Sequence, residues 1–318
     1  MRHVSFLLLP GFALTSFALT MEALSVANKL NGTPLYDCHR YMADGDPDAG
    51  TVLSSNGVPI QVEAHFSAIS ATDLVVLCAY RGAAGCDDRR LFARLRHLRH
   101  AGVQIAALTS ASFLLARAGL LNTHSCTLFS EDIPAFRELY PHIGIQENLY
   151  TVNQSIFTCA GGMTALDMML YIIGRDTGVD FANRVSHQFC HDKIRSPTEM
   201  QHGRRYLELR MRSPCLGAAI EIMEKNIEHP CSIEAIARKI GASTRQMEQT
   251  FRRHENTTPV RYYLQLRLAH ARTLIEETRL PFSTIAQASG FASQSYFTKC
   301  FKALYAVSPG QLRNGKDL

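Results

Sequence analysis

The sequence predicts two domains of different fold class: an α/β domain with a mostly parallel sheet, followed by an all-α domain with two helix-turn-helix units. Within residues 1–190, short apolar stretches alternate with helical patterns, as in an α/β sandwich. Within residues 214–318, one helical pattern occurs twice. The formal charge of +5 also lies in the last third, because residues 213–318 hold 14 Lys and Arg against 9 Asp and Glu. A chain of 318 residues is long enough to form a core in each domain.

Continuous apolar stretches predict the strands of the first domain. They are VSFLLLPGF at 4–12, DLVVLCA at 73–79 and VQIAAL at 103–108. Strands of this kind lie buried between helices in parallel sheets. Helices are predicted at 17–29, 87–100, 111–118, 131–139, 162–175 and 178–190, with a small hairpin in LYTVNQSIFTC at 149–159. Ligands of such sheets bind at the carboxyl ends of the strands, and Thr109 follows one of these ends.

The second domain contains a duplicated segment. IARKIGASTRQMEQTFRRHENTTP, from residue 236, aligns with IAQASGFASQSYFTKCFKALYAVSP, from residue 285. Gly241 matches Gly290, 49 positions further on, and Pro259 matches Pro309, 50 positions further on. One residue has therefore been added in the turn. Similarity at a nearly fixed offset indicates that one supersecondary unit is repeated.

Each copy has the pattern of two short helices joined by a tight turn. Ser232 can cap the first helix and Gly241 can end it, while Ser243 starts a second helix with Phe251 facing inward. A long amphipathic helix at 259–277 links the copies. An all-helical interaction domain without DNA is the alternative, and the outward faces of the second helices argue against it. Those faces carry the amides and cations that reach bases and phosphates, namely Arg245, Gln246, Glu248, Gln249, Arg252, Arg253, Gln294, Ser295, Lys299 and Lys302.

Residues 216–313 resemble an AraC/XylS-type DNA-binding domain, because they combine both units and the linking helix with the ending GFASQSYFTKCFKALYAVSPGQLR. The resemblance implies two recognition helices in successive major grooves on one face of the DNA. By position, it implies that the bases are read by Arg245, Glu248, Gln249, Gln294, Ser295 and Lys299. Many members of the family have Arg where this chain has Gln249, so the first helix is expected to read its bases less tightly. Arg252 is expected to contribute at the same surface.

The first domain resembles a class I glutamine-amidotransferase-like (PfpI-type) domain, through FLLLPGFALTSFALTMEALSVAN, ARAGLLN and FTCAGGMTALDMML. Together the two domains resemble the GlxA-type group of transcription regulators. Within AALTSASFLLARAGLL, a strand turns sharply into a helix at Thr109, a shape that presents one side chain at the edge of the sheet. The resemblance implies Cys at this position and His shortly after the following helix, where this chain has Phe129. Catalysis of the family's type, which needs a thiolate and a base, is therefore not expected.

The same turn is predicted to bind a small molecule. Backbone N–H groups from Ser110 onward, at a helix N-terminus, could hold a carboxylate. Glu22 is placed by the resemblance at the family's acidic position, and the Phe129 ring could face a cation. Thr109 and Asn56, from the turn SSNG, complete the predicted ligand-binding set. An amino-acid-like or quaternary-amine ligand fits these groups.

The combined prediction is a cytoplasmic transcription activator that forms a homodimer. It is expected to bind promoter DNA, a small-molecule effector and RNA polymerase, and not to bind a membrane. No cofactor or metal is expected, because the nine Cys form no CxxC pair. Cys126 and Cys159 are interpreted as structural thiols, and the His and Cys at 187–191 as the end of a helix. A charged linker is predicted at 191–213. Two alternatives are an amidase or hydrolase fused to a DNA-binding module, and a first domain that only dimerises.

Overall fold

The computed structural model describes residues 1–43, 50–201 and 203–315, with only the backbone described for residues 203–207. The chain divides into two compact units, Met1–Gln201 and the part from residue 202 onward. The first unit has α/β architecture and the second is all helical in its described part. Both predicted fold classes are therefore confirmed. Among the described helices, none has the length and apolar content that a membrane span requires.

The first unit is built on a seven-stranded sheet with the order β5-β2-β1-β6-β7-β9-β8. All neighbouring strands are parallel except β8 and β9, which form the predicted antiparallel hairpin. A separate two-stranded hairpin pairs β3 with β4. The strands are β1 Arg2–Leu8, β2 Tyr36–Met42, β3 Thr51–Leu53, β4 Pro59–Gln61, β5 Ala64–His65, β6 Leu74–Ala79, β7 Gln104–Thr109, β8 Tyr150–Asn153 and β9 Ile156–Cys159.

Helices cover the sheet and start close to the predicted positions. The core cluster joins Val4, Phe6 and Leu8 on one face of β1 to apolar side chains of three helices, α1, α5 and α6. Alternate residues of β1 face the other side because side chains alternate along a strand. The helices of this unit are α1 Leu14–Asn31, α2 Arg89–His100, α3 Ser112–Arg117, α4 Ile133–Leu139, α5 Met163–Thr177 and α6 Val179–His187.

The predicted linker at 191–213 is divided between the two units. Asp167 is a fully buried carboxylate on α5, and its Oδ1 lies 2.8 Å from Nε2 of His191. Its Oδ2 accepts a hydrogen bond from Nε of Arg195 at 2.8 Å. A buried charge needs such partners, so residues 191–201 are held on the first unit. Residues 203–212 of the predicted linker are helical and pack within the second unit.

Most helices of the second unit start at a side chain that caps them. In the described part of this unit, six hydroxyl side chains accept a hydrogen bond from a backbone N–H in the first turn: Ser213, Ser232, Ser243, Thr258, Ser293 and Ser308. The caps at Ser232 and Ser243 are those that the sequence predicts. Such caps satisfy N–H groups that have no partner inside the helix. The helices are α7 Gly203–Arg212, α8 Pro214–Lys225, α9 Ile233–Lys239, α10 Thr244–Glu255, α11 Pro259–Glu277, α12 Phe282–Ala288, α13 Gln294–Tyr305 and α14 Pro309–Asn314.

The two helix-turn-helix turns share one backbone conformation but have different surroundings. Gly241 has φ +69°, and a Cβ placed on it would have no atom within 4 Å apart from its chain neighbours. Gly290 has φ +74°, but there a Cβ would lie 2.4 Å from the carbonyl oxygen of Ile227 and 2.6 Å from Cγ of Pro230. The second turn is therefore pressed against the loop that precedes α9 of the first helix-turn-helix.

Arg267 on the linking helix α11 fastens this second turn. Its Nε donates to the carbonyl oxygen of Ser289 at 2.9 Å, and its Nη2 donates to that of Gly290 at 2.6 Å. The guanidinium also lies 4.3 Å from the ring centre of Phe291. These contacts satisfy the carbonyls at the carboxyl end of α12 and fix the entry into α13.

Candidate functional site

Thr109 occupies the sharp turn at the end of β7. It has φ +60°, a conformation that is rare for a β-branched residue and costs free energy. Its neighbour across the ladder is Ala79, the last residue of β6. The turn therefore lies at the carboxyl edge of the parallel strands, where ligands of such sheets bind.

The Thr109 hydroxyl is enclosed by other parts of the chain, and only 5% of the residue is exposed. Its Oγ1 lies 3.2 Å from Oγ of Ser16 on α1, and Ser16 Oγ accepts the backbone N–H of Gly162 at 2.8 Å. A Cβ on Gly161 would lie 2.3 Å from Thr109 Oγ1, so only glycine fits there. Three separate segments thus meet at this hydroxyl.

The described contacts of Thr109 include no base that could activate its hydroxyl. Phe129 stands in place of the His that the family resemblance implies, and its backbone N–H donates to the carbonyl oxygen of Thr109 at 3.4 Å. Burial raises the pKa of the Cys159 thiol to about 11 and that of Cys126 to about 12. Both thiols are therefore protonated near neutral pH and unreactive, as interpreted from the sequence.

Glu22 points away from the residue of α1 that contacts Thr109, and its place in a ligand site stays a prediction. It is exposed on α1, whereas Ser16 is buried against Thr109. Six positions along a helix turn by about 600°, which directs Glu22 roughly 120° away from Ser16. Ser16 of α1 contacts the turn, and nothing in the sequence pointed to it beyond its place after the first strand.

Ser110 is also engaged by the chain itself. It is buried, and its Oγ donates to Oδ2 of buried Asp132 at 2.5 Å. Its N–H donates to the carbonyl oxygen of Ala79 at 3.2 Å, and the N–H of Ala111 donates to that of Leu108 at 3.0 Å. The N–H groups of Ser110 and Ala111 are thus paired within the chain, and a carboxylate site at Ser110 stays a prediction.

An aromatic pair lies beside the turn. Phe129 and Tyr80, the residue that follows β6, are both half-buried, with ring centres 5.9 Å apart and an interplanar angle of 84°. Asn56 lies exposed in the turn between β3 and β4. That hairpin is attached to the loop after β1, because the N–H of Ser55 donates to the carbonyl oxygen of Phe12 at 2.8 Å. Two aromatic rings therefore lie near the turn at Thr109, and Tyr80 was missed from the sequence.

The second helices of the two helix-turn-helix units form the candidate nucleic-acid interface. Met247 and Phe251 anchor α10 in the core, and Phe297 and Phe301 anchor α13. The residues predicted to contact DNA are all exposed: Arg245, Glu248, Gln249 and Arg252 on α10, and Gln294, Ser295 and Lys299 on α13. The exposed Tyr296 lies among them and was not predicted. Apolar anchors on one face therefore leave the opposite face free for a duplex.

Comparison with known proteins identifies the family. A model of the helix-turn-helix domain matches residues 236–315. The transcriptional regulator GlxA of Rhizobium meliloti is 36% identical over 98% of this chain and 95% of its own length. The regulator GbdR of Pseudomonas aeruginosa is 33% identical over 100% of this chain and 85% of its own length. This chain belongs to the AraC-type family of transcriptional regulators. It is a DNA-binding regulator and not an enzyme.

The first unit of the regulator has the fold of DJ-1. The structure of oxidised DJ-1 from Toxoplasma gondii superposes with a TM-score of 0.52 at 20% identity, covering 61% of this chain and 100% of that one. This likeness concerns the fold alone. The α/β fold predicted for the first domain is thus confirmed.

Proposed function

We propose that the regulator reads promoter DNA through the exposed faces of α10 and α13, under the control of a small cationic effector at the Thr109 turn. The first part rests on the exposed guanidinium, amide and ammonium groups of the two helices. Arg pairs bidentately with guanine and Gln with adenine in the major groove, so these side chains are suited to reading sequence. The duplicated architecture supplies two such helices in one unit.

Arg245→Ala tests the DNA-reading face. The variant is titrated against an operator selected from a random library by the unaltered regulator, and against single-base variants of that operator. Loss of a bidentate contact costs about 1–3 kcal/mol and relaxes the preference at one base pair. Lys225→Ala is the control, since it removes the same charge from an exposed position on α8. An unchanged base preference in Arg245→Ala would refute the assignment.

The effector proposal rests on the aromatic pair of Tyr80 and Phe129. A quaternary ammonium group is bound by ring faces, because their negative quadrupole attracts the cation without a counter-charge. An amino-acid-like ligand also carries a carboxylate, but the Ser110 N–H that was expected to bind it already donates to the carbonyl oxygen of Ala79. The geometry therefore favours the quaternary-amine class over the amino-acid-like class.

Thermal unfolding of the full chain with betaines, carnitine and arginine tests this effector class. A ligand at 100 times its Kd stabilises the folded state by about 2.7 kcal/mol. Phe129→Leu should abolish the stabilisation, because it removes a ring face and keeps apolar volume. Phe181→Leu, a half-buried aromatic of α6, should retain it. Equal stabilisation of both variants would contradict binding at the turn.

We further propose that the first unit forms a homodimer and that the regulator activates transcription by contacting RNA polymerase in the cytoplasm. Sedimentation equilibrium of the full chain measures the oligomeric state, and transcription in vitro with purified polymerase measures the output. A dimer that responds to none of the effector candidates would favour the alternative in which the first unit only dimerises. Reduced transcription upon binding would make the regulator a repressor.

A further inference from the structure

A cluster of four ionisable side chains lies on the first unit, apart from the Thr109 turn. His3 on β1 pairs in register with Asp37 on β2, and His39 follows two residues later on the same face of β2. This face is opposite to the one on which Val4 and Phe6 enter the core cluster. The three side chains are 38–44% exposed, so water and ions can reach them.

The hydrogen bonds of His39 leave one contact that a neutral ring cannot make. Its Nδ1 lies 2.6 Å from Oε2 of Glu63, and a carboxylate only accepts, so Nδ1 carries the hydrogen. In the neutral ring Nε2 then has a lone pair, yet it lies 3.1 Å from Oδ2 of Asp37. Nδ1 of His3 lies 3.2 Å from the same oxygen. Nδ1 of His3 can donate its own hydrogen to Asp37, but Nε2 of His39 and Oδ2 of Asp37 need a cation between them, either a second proton on His39 or a metal ion.

The separations fit a metal ion. Zn²⁺ binds His nitrogen and carboxylate oxygen at about 2.0–2.2 Å, and tetrahedral geometry then sets the ligand atoms roughly 3.3–3.5 Å apart. The two separations from Asp37 Oδ2 are close to this value, and the three ligand atoms all lie within 4.8 Å of one another. Two imidazoles and a carboxylate, with a fourth position open to water, suit a borderline divalent metal.

Glu63 supplies the outer contact that such sites need. Its Oε1 accepts from the backbone N–H of Arg40 at 3.2 Å and from Nη2 of Arg40 at 3.1 Å, which leaves Oε2 for His39. A carboxylate bonded to the far nitrogen of a metal-binding imidazole fixes its tautomer and directs the other lone pair to the metal. This arrangement is already in place around His39.

We propose that His3 Nδ1, Asp37 Oδ2 and His39 Nε2 form a binding site for a divalent transition metal of the Zn²⁺ type, with Glu63 orienting His39. The site joins β1 to β2 and to the segment before β5, so metal binding ties these strands together. It is separate from the effector site proposed at Thr109, and neither proposal depends on the other. The regulator would thereby respond to a metal ion through the first unit.

The test measures Zn²⁺ binding to the metal-free full chain without an affinity tag, by calorimetry, and repeats it with Co²⁺, whose visible absorption reports tetrahedral coordination. One ion per chain with micromolar or tighter affinity is expected. The chain contains 13 His, so a matched control is needed. His39→Gln and His3→Gln should each abolish the binding, whereas His142→Gln, an exposed histidine elsewhere in the first unit, should retain it.

Glu63→Gln separates the orienting role from direct coordination. It should keep one ion per chain and the Co²⁺ spectrum while weakening affinity by about 10–100-fold. Circular dichroism of each metal-free variant shows whether it is folded, and the two histidine variants provide independent readings. Binding of no ion by the unaltered chain, or undiminished binding by both histidine variants, would overturn the proposal. The cluster would then be an ion-pair network around a protonated His39.

Discussion

Replacing Gly290 by alanine should damage the second unit much more than the same replacement at Gly241. Both glycines end the first helix of a helix-turn-helix with nearly equal positive φ angles. A Cβ in this left-handed region costs about 1–2 kcal/mol at either position. The two variants therefore share the conformational cost and differ only in what the new methyl group meets.

The methyl group at Gly290 meets backbone and a proline ring. The separation of 2.4 Å from the Ile227 carbonyl oxygen is shorter than any normal contact between such atoms, so one of the two segments must shift. Forcing extra atoms into a packed region costs about 1–3 kcal/mol. We therefore expect a loss of about 1–2 kcal/mol for Gly241→Ala and about 2–5 kcal/mol for Gly290→Ala.

Hydrogen exchange followed by mass spectrometry measures these losses in the full chain, because it reports the free energy of opening for separate peptides. Peptides from α9 and α13 should lose more protection in Gly290→Ala than in Gly241→Ala. The affinity for the selected operator should also fall further in Gly290→Ala than in Gly241→Ala, since Gly290→Ala displaces one recognition helix relative to the other. Equal protection in the two variants would refute the packing argument.

Three further predictions concern other parts of the chain. Asp167→Ala should destabilise the first unit by about 3–5 kcal/mol, because it leaves the guanidinium of Arg195 without the buried carboxylate that it pairs with, and residues 191–201 should become cleavable in limited proteolysis. Ser308→Ala should lower the free energy of unfolding by about 1 kcal/mol in thermal melts, because a capping box is lost, while the exposed Ser283→Ala should have little effect. At pH 8 a thiol reagent should modify the exposed Cys190 and spare the buried Cys159. The raised pKa of Cys159, about 11, leaves roughly one thiolate in a thousand at this pH. Rapid labelling of Cys159 would contradict its burial.

Regular patterns in the sequence predicted most of the fold. The continuous apolar strands and the duplicated helix-turn-helix have periodicities that reflect burial directly. The cap at Ser243 and the inward face of α10 followed from the same pattern. The strand β2 was missed, because YDCHRYM contains polar residues that face a solvent-accessible side of the sheet.

Long-range contacts explain the omissions at the candidate sites. Ser16 and Thr109 are 93 positions apart, so only the folded chain shows that their hydroxyl groups meet. The cluster of His3 and His39 likewise depends on the register between β1 and β2, which the sequence did not reveal. The exposed faces of α10 and α13 were predictable because each lies within one helix. Their contacts with DNA stay predictions.

The backbone at Thr109 has a consequence for how this fold changes its chemistry. The strained conformation persists with a threonine in place of a nucleophile, held by the ladder to Ala79 and by contacts with Ser16 and Gly161. Strain of this kind survives only where the surrounding structure determines it. The scaffold, and not the side chain at its tip, therefore maintains the turn. A change from catalysis to ligand binding at this edge of the sheet therefore requires new side chains but no change in the path of the main chain.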